Sequence, residues 1–488
     1  MDGYVTIDLS NMTQVNLTMA NGGRQLTAWT GAGITNSLLV AELLTKGPKG
    51  VASLSGSCPS VGTGGFYLGG GMGNLSPLYG LGCDQVLAIE VVLADGSVVT
   101  ADAEHYPDLF WASCGGGPGF GVITQYKVKV PVHDDPRITS FIVFFPADGG
   151  STYAISSWQK FIAAQNGRNG LVLTGATLLP AAPDRPPVLL SSGMFLGPKE
   201  AAIKAINASG LLDEGGVMLD FAPPVEFPTF GHFMIDEYMR LMNDWNSQIL
   251  VEELGHTWDR SSQAHFDLFV KLALQPGSLV SSAENRFWRW FVMNACYMVP
   301  ELSPTALKAL MAFQNSPTDA ECAGSASKTN LTTATDHLCL AKALSNQVTW
   351  NHILGGAVAA VPTNATAFPH RKMLSPLCHE PGMPYGTYDR KGELLPSANI
   401  TSSGGITYTY TPQLLVDAFI KRIQQFQRAL LPNTPEIGTY YNYILPSLED
   451  WQRSYWGSNY PRLQRIKAAY DPNGLFSKPF TVELPVRK

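Results

Sequence analysis

The sequence predicts an α+β protein of two or more domains, and three observations carry that expectation. Its 488 residues exceed what a single core organises at the usual ~100–200 residues per domain. Short runs rich in β-branched and aromatic residues alternate with stretches of helical spacing along the whole chain. The 47 glycines and 34 prolines call for many turns and close backbone approaches.

The elements follow in order. VTIDLS and RQLTAWTGAG are short apolar runs bounded by turn residues, NSLLVAELL has helical spacing, and VASLSG leads into the glycine-rich GSCPSVGTGGFYLGGGMG. VLAIEVV and SVVTA flank Asp95-Gly96, a strong hairpin signal. YPDLFWASCGGG reads as a short helix stopped by glycines, and FGVITQYKVKV as a strand. Beyond Pro131 the runs lengthen: ITSFIVFFPA, LVLTGATLLP and VLLSSGMFL predict strands, with helices near Tyr153 to Ala164 and Lys199 to Leu211. A domain boundary is placed near Pro136. SPTALKALMAFQ and PQLLVDAFIKRIQQFQRALL predict helices, HILGGAVAAVP a strand between them, and the aromatic tail a helix ending before Asp471-Pro472. There is no internal repeat.

Composition narrows the function classes. A content of 45% hydrophobic and 15% charged residues is that of a globular chain and excludes disorder. A net charge of -6 with no Lys/Arg run gives no reason to expect nucleic acid or an anionic membrane as a partner. No apolar stretch reaches the ~20 residues of a membrane-spanning helix, and MDGYVTIDLS is not a signal peptide. Seven N-x-[ST] sequons, at Asn11, Asn16, Asn74, Asn207, Asn330, Asn364 and Asn399, nonetheless point to secretion. Seven cysteines do not make a disulfide scaffold, and no CxxC pair or Cys/His cluster has metal-site spacing, so no metal is expected. Cys322 and Cys339 flank a polar, Thr-rich stretch; a loop-closing disulfide and two unpaired thiols are both open there.

Nine of the 47 glycines fall between Gly50 and Gly73, so the backbone there either forms a surface loop or lies flat against something large and planar. The interleaved Cys58, Phe66, Tyr67 and Leu68 favour the second, because a flexible loop would be polar. GGGPGFG at 115–121 resembles a dinucleotide fingerprint in letters, but a strand follows it where that fingerprint opens a helix. A nicotinamide-dependent dehydrogenase is therefore disfavoured.

CPSVGTGGFYLGGGMG, YGLGCDQVLAIEVVLADG, DLFWASCGGGPGFGVITQYKV and the tail YYNY followed by WQRSYWGSNYPRLQRIKAAYDPNGLF occur in the order found in FAD-linked oxidases of the berberine bridge enzyme type, which this chain resembles over nearly its whole length. TNATAFPHR, from Thr363 to Arg371, is a further landmark. The resemblance implies a two-domain PCMH-type FAD-binding fold whose substrate domain is an antiparallel sheet with helices. On that basis 1–135 is the FAD-binding domain, 136–431 the substrate domain, and 432–488 a segment returning to the FAD domain.

It also implies a site. Cys58, flanked by Ser57, Pro59 and Val61, matches the cysteine that bonds through sulfur to the flavin ring; on its own, a buried structural thiol is the commoner fate of a cysteine. Gly62, Gly64, Gly65, Gly69, Gly70, Gly71 and Gly73 match a loop along the cofactor, with Tyr79, Gly80, Leu81 and Asp84 beside it. Gly117, Gly119, Gly121 and Val122 match a second cluster at the adenine and diphosphate end, where backbone donors can hold a diphosphate without a lysine. Tyr443, with Asn442 and Tyr441 before it and Tyr440 behind those, matches the position of a catalytic tyrosine. A phenol needs donors or positive charge to act as a base near neutrality, and His370 or Arg371 are candidates to supply them. Leu445 stands where an acidic residue often follows. Trp288, Trp290, Trp350 and Tyr297 either line a substrate cleft or fill the core.

The implied reaction is hydride transfer from a hydroxyl-bearing carbon of a small molecule to FAD and then to O2. A dehydrogenase with another acceptor, and a non-catalytic binding protein that has lost part of the FAD site, are the alternatives. Relatives usually begin with further strands, a phosphate loop and a histidine that makes a second flavin bond. That segment, with any signal peptide, is expected to precede Met1; His105 lies in the wrong context to replace the histidine.

Overall fold

The computed structural model describes residues 5–20, 25–146, 152–179, 187–213, 215–220, 222–239, 258–275, 295–316, 319–326, 328–344, 347–379, 394–401, 407–445 and 448–485. Strands β1 (Val15–Ala20), β2 (Gln25–Gly31), β3 (Val86–Val92), β4 (Val98–Asp102) and β5 (Val122–Val130) form an antiparallel sheet in the order β1-β2-β5-β3-β4. The β3–β4 hairpin turns at Asp95-Gly96, as expected, with Gly96 at φ 84° and the Asp95 carboxylate accepting from Ser97 N–H. Of the early runs, RQLTAWTGAG supplies β2, whereas VTIDLS forms no strand and VASLSG makes one isolated bridge, Val51 to Val132.

A second antiparallel sheet takes β6 (Ile138–Pro146), β7 (Leu171–Leu179), β8 (Val188–Leu196), β9 (Val225–Phe227), β10 (Ala295–Val299), β11 (Val348–Asn351) and β12 (Ser375–His379) in the order β10-β12-β11-β7-β8-β6-β9. Alternation fixes which face is covered: Phe141, Val143 and Phe145 are buried while Ile142 and Phe144 are half-exposed. Helix Pro412–Leu430 presents Leu415, Phe419, Ile423, Phe426 and Leu430 on one buried stripe, with proline in its first turn. A small antiparallel pair, β13 (Ala398–Thr401) and β14 (Thr407–Tyr410), completes the strands among the described residues. This α+β architecture of two antiparallel sheets with helices is the predicted class.

One expected strand is corrected. HILGGAVAAVP contains helix Gly356–Ala360, and the strand is the preceding β11. His352, Gly355 and Gly356 all have positive φ, which ends an extended run before the apolar residues begin. Cys322 and Cys339 form a disulfide, and so do Cys296 and Cys378, opposite each other on β10 and β12. Trp350 and Tyr297 belong to a buried core with Trp158 and Phe426; Trp288 and Trp290 lie outside the described residues. The first sheet shares its core with the C-terminal tail: Ile89, Tyr126 and Phe66 pack with Tyr440, Tyr441, Trp456, Leu463 and Ile466.

Candidate active site

The first N–H groups of helix Asn36–Lys46 have no acceptor in their own helix. Asn36 N–H donates to Val61 O at 2.9 Å and Ser37 N–H to Pro59 O at 3.0 Å, while Asn36 Nδ2 donates to Cys58 O at 2.9 Å. The loop is thus gripped by its carbonyls. Cys58 and Ser57 are half-buried, Pro59 is buried, and Cys58 belongs to neither disulfide.

The glycines that follow divide into two kinds. A side chain on Gly62 or Gly65, at the start of helix Thr63–Leu68, would meet nothing within 4 Å, so this face is open. Elsewhere the protein itself fills the space: Ala32 O lies 2.5 Å from a Cβ on Gly64, Phe368 2.8 Å from one on Gly70, and Phe66 2.8 Å from one on Gly71. Asn442 and Ser55 O crowd Gly69 and Gly73 in the same way.

The tail reaches this loop from more than 350 positions away. Gly71 N–H (3.2 Å), Met72 N–H (3.3 Å) and Asn442 Nδ2 (2.9 Å) all donate to the Tyr440 phenol oxygen, and Asn442 Nδ2 also donates to Phe66 O at 3.2 Å. Tyr441 stacks on Trp456 with centroids 5.4 Å apart, and its ring lies 2.7 Å from where a Gly117 Cβ would stand. Half-buried Tyr443 meets Tyr440 edge-on at 5.1 Å.

The electrostatics separate the tyrosines. Burial pushes Tyr440 up to about 12 despite the three donors on its oxygen, and burial with the neighbouring Tyr455 pushes Tyr441 well above the ordinary phenol range. The Tyr441 hydroxyl, Asn36 Oδ1 and Thr63 Oγ1 are buried with no hydrogen-bond partner among the described residues. Orphaned buried polar atoms cost ~1–3 kcal/mol each unless a ligand meets them. An open glycine face beside a half-buried thiol and these atoms suits a planar group rich in hydrogen-bonding heteroatoms. FAD has that chemistry, and the residues fit it.

Two family models match the chain: the FAD binding domain over residues 1–102, and "Berberine and berberine like" over 439–482. The FAD-linked oxidoreductase pgmH of Aspergillus terreus is 32% identical over 190 residues, 38% of each chain. Berberine bridge enzyme-like 23 of Arabidopsis thaliana is 35% identical over 161 residues, 33% of this chain and 29% of that one. The match thus spans well under two thirds of either relative's length. Glucooligosaccharide oxidase from Acremonium strictum, a protein with 6-S-cysteinyl, 8α-N1-histidyl FAD, shares the fold: its structure superposes with a TM-score of 0.64 at 21% identity, covering 98% of this chain and 81% of that one. The chain is thus similar, in its first hundred residues and in its tail, to the berberine bridge enzyme-like FAD-linked oxidoreductases.

The other expected site residues fall at different places. Leu81 N–H donates to Asp84 at 2.8 Å, Gly80 packs on the same carboxylate, and Arg371 grips both its oxygens at 2.6 and 2.8 Å. The Tyr79 hydroxyl is instead 3.2 Å from His133 Nδ1. Gly121 abuts Val91 and Val92, and Val122 opens β5 opposite Val92. Both residues expected to help a catalytic tyrosine have other partners. Arg371 holds Asp84 and Thr366 through its two terminal nitrogens, and burial pushes His370 down to about 4, leaving it neutral with Nε2 3.1 Å from Tyr455 O. Sequence reading missed Lys467, whose ammonium is buried against the second glycine cluster; its only sequence signal is a charged Lys467/Asp471 pair four apart at the end of a helix. Among the described residues no cluster of three His, Cys, Asp or Glu could hold a metal, and no helix is long and apolar enough to cross a membrane.

Proposed function

We propose that this protein oxidises a hydroxyl-bearing carbon of a small molecule, an oligosaccharide, alcohol or secondary metabolite, with O2 as the final acceptor and H2O2 as the product. Bound FAD supplies a hydride acceptor at N5 that O2 can reoxidise. Residues 1–135 and 432–488 hold the cofactor in this reading, and 136–431 hold the substrate. The observation that carries it is the half-buried Cys58, outside both disulfides and next to the open faces of Gly62 and Gly65. Cys58 tethers the flavin through sulfur, with Ser57, Pro59, Val61, Gly62, Gly64 and Gly65 shaping that end of the site. Gly69, Gly70, Gly71 and Gly73 let the loop close on Asn442, Phe368, Phe66 and Ser55, with the Tyr79–Asp84 segment as its outer support. Tyr443 in its phenolate form takes the substrate hydroxyl proton and becomes the neutral phenol; Tyr441, raised by burial, stays neutral as a donor. The oligosaccharide class draws support from the glucooligosaccharide oxidase that shares the fold.

Secretion belongs to the same reading. Two disulfides and six exposed sequons support it, whereas Asn74 is buried beside Met234 and is expected to carry no glycan in folded molecules.

The test is to denature the purified protein in acid and follow flavin absorbance, with Cys58→Ala beside it, then to screen sugars and alcohols for peroxide release. Colour retained by the parent and lost from the variant supports the tether. A colourless parent refutes FAD binding by this chain, and a coloured one that reduces dyes yet yields no peroxide refutes O2 as acceptor.

A further inference from the structure

The segment Gly115 to Gly121 contains three glycines at positive φ, Gly115 (102°), Gly117 (73°) and Gly119 (124°), separated by residues that are not. Such alternation turns successive backbone N–H groups towards one point, where they attract an anion. The first N–H groups are consumed internally: Gly115 and Gly117 donate to Leu68 O at 2.9 and 3.0 Å, and Gly116 to Ala112 O at 3.0 Å. Gly119 and Phe120 are buried, and among the described residues their N–H groups donate to nothing. Two buried unpaired donors in sequence are a strong demand for an oxyanion.

The peptide that carries Phe120 N–H is held from behind. Lys467 is 1% exposed, and its three ammonium protons have three acceptors: Gly119 O at 2.7 Å, Asp471 Oδ2 at 2.6 Å and Phe476 O at 3.0 Å. Asp471 is in turn fixed by Leu475 N–H at 2.7 Å and Phe476 N–H at 2.9 Å. In a trans peptide the carbonyl and the following N–H point in opposite directions. Pinning Gly119 O to Lys467 therefore aims Phe120 N–H away from Lys467, and a glycine without a Cβ would otherwise let this peptide rotate.

We propose that Lys467 is a positioning residue that, by fixing the Gly119–Phe120 peptide, holds Gly119 and Phe120 N–H for the diphosphate of the dinucleotide. This rests on the FAD reading above. Lys467 itself does not touch the ligand; its charge is used up on the protein, and the anion meets only backbone.

The experiment uses the full chain carrying Cys58→Ala, so that the cofactor remains exchangeable, and measures Kd for FAD and for riboflavin, which lacks the diphosphate and adenine. Lys467→Met is expected to weaken FAD ~10- to 100-fold, the equivalent of one or two hydrogen bonds to a charged group, and to leave riboflavin within about twofold. Lys467→Arg, which keeps charge and donors, is expected to recover part of the loss. Amide hydrogen exchange on the protein with Lys467 intact gives a readout that does not depend on the variant folding: FAD should slow exchange at Phe120 and riboflavin should not. Equal losses for both ligands, no loss for either, or an unprotected Phe120 amide in the FAD complex would each overturn the positioning role while leaving FAD binding intact. Failure of the intact-lysine protein to bind FAD would overturn the FAD reading and this inference with it.

Discussion

Replacing Arg371 with methionine tests the contact that ties TAFPHR to the YGLGCD segment. Arg371 is 0% exposed and Asp84 9%, so both charges have left water. Methionine keeps much of the packing on Phe368 but removes both N–H bonds to Asp84 and the one to Thr366. Among the described residues the carboxylate then keeps Leu81 N–H and the weak Cys83 thiol donor at 4.0 Å. An uncompensated buried charge of this kind costs about 3–5 kcal/mol. Asp84→Ala strands the guanidinium instead and is expected to cost about as much. The double variant removes both charges, so it should be no less stable than the worse single, giving a coupling of about 3 kcal/mol or more. Urea unfolding followed by tryptophan fluorescence at pH 7 measures all four proteins, and the coupling should persist at high salt because buried pairs are poorly screened. Single-variant losses that simply add in the double would refute direct energetic coupling across this pair.

Three further outcomes follow from the geometry. His370, held neutral with its pKa lowered from 6.5 to about 4, makes the fold acid-sensitive: the unfolded chain takes up a proton below pH 6.5 that the folded chain refuses. Its stabilising contribution is intact above 6.5 and falls by about 3 kcal/mol as pH drops to 4, so His370→Gln should flatten stability against pH in that window. Removing Cys322–Cys339, 17 residues apart, should cost about 3 kcal/mol, and removing Cys296–Cys378, 82 apart, about 4.5 kcal/mol by loop entropy; double Cys→Ala variants in denaturant titrations give the ranking. Tyr440→Phe leaves the buried Gly71 and Met72 N–H groups without an acceptor and should cost on the order of 1–3 kcal/mol, with faster amide exchange at those two residues as its local signature.

What the sequence made legible was local. The Asp95-Gly96 turn needs no information beyond its neighbours, and helix Pro412–Leu430 carries its own start signal and apolar stripe. HILGGAVAAVP misled because periodicity in so short an apolar run cannot tell a buried strand from a buried helix; two consecutive glycines at positive φ decided it. Cys296 and Cys378 could not be paired by inspection, since they meet only through the register of β10 on β12. Arg371 and His370 lie beside each other in sequence and were both candidates to lower a tyrosine's pKa. One is claimed by a carboxylate 287 positions away and the other by burial, and neither fact is written in the local sequence.

The candidate site has the same division. Glycine-rich loops are recognisable by composition, but a loop with few side chains cannot fix its own conformation, because glycine leaves the backbone many states to lose. Something outside must hold it, and here that is the tail. Tyr440 accepts from Gly71 and Met72, Asn442 donates to Phe66 O, Trp456 Nε1 donates to Gly115 O at 3.1 Å, and Lys467 donates to Gly119 O at 2.7 Å. Every one of these bonds ends on a backbone atom of the two loops. The tail therefore acts as the missing side chains of the glycine segments, which accounts for its density of aromatic and hydrogen-bonding residues. It also means that the loops and tail should lose order together: a variant such as Trp456→Ala, distant in sequence from both loops, should raise amide exchange across Gly69–Gly73 as well as across Gly115–Gly119.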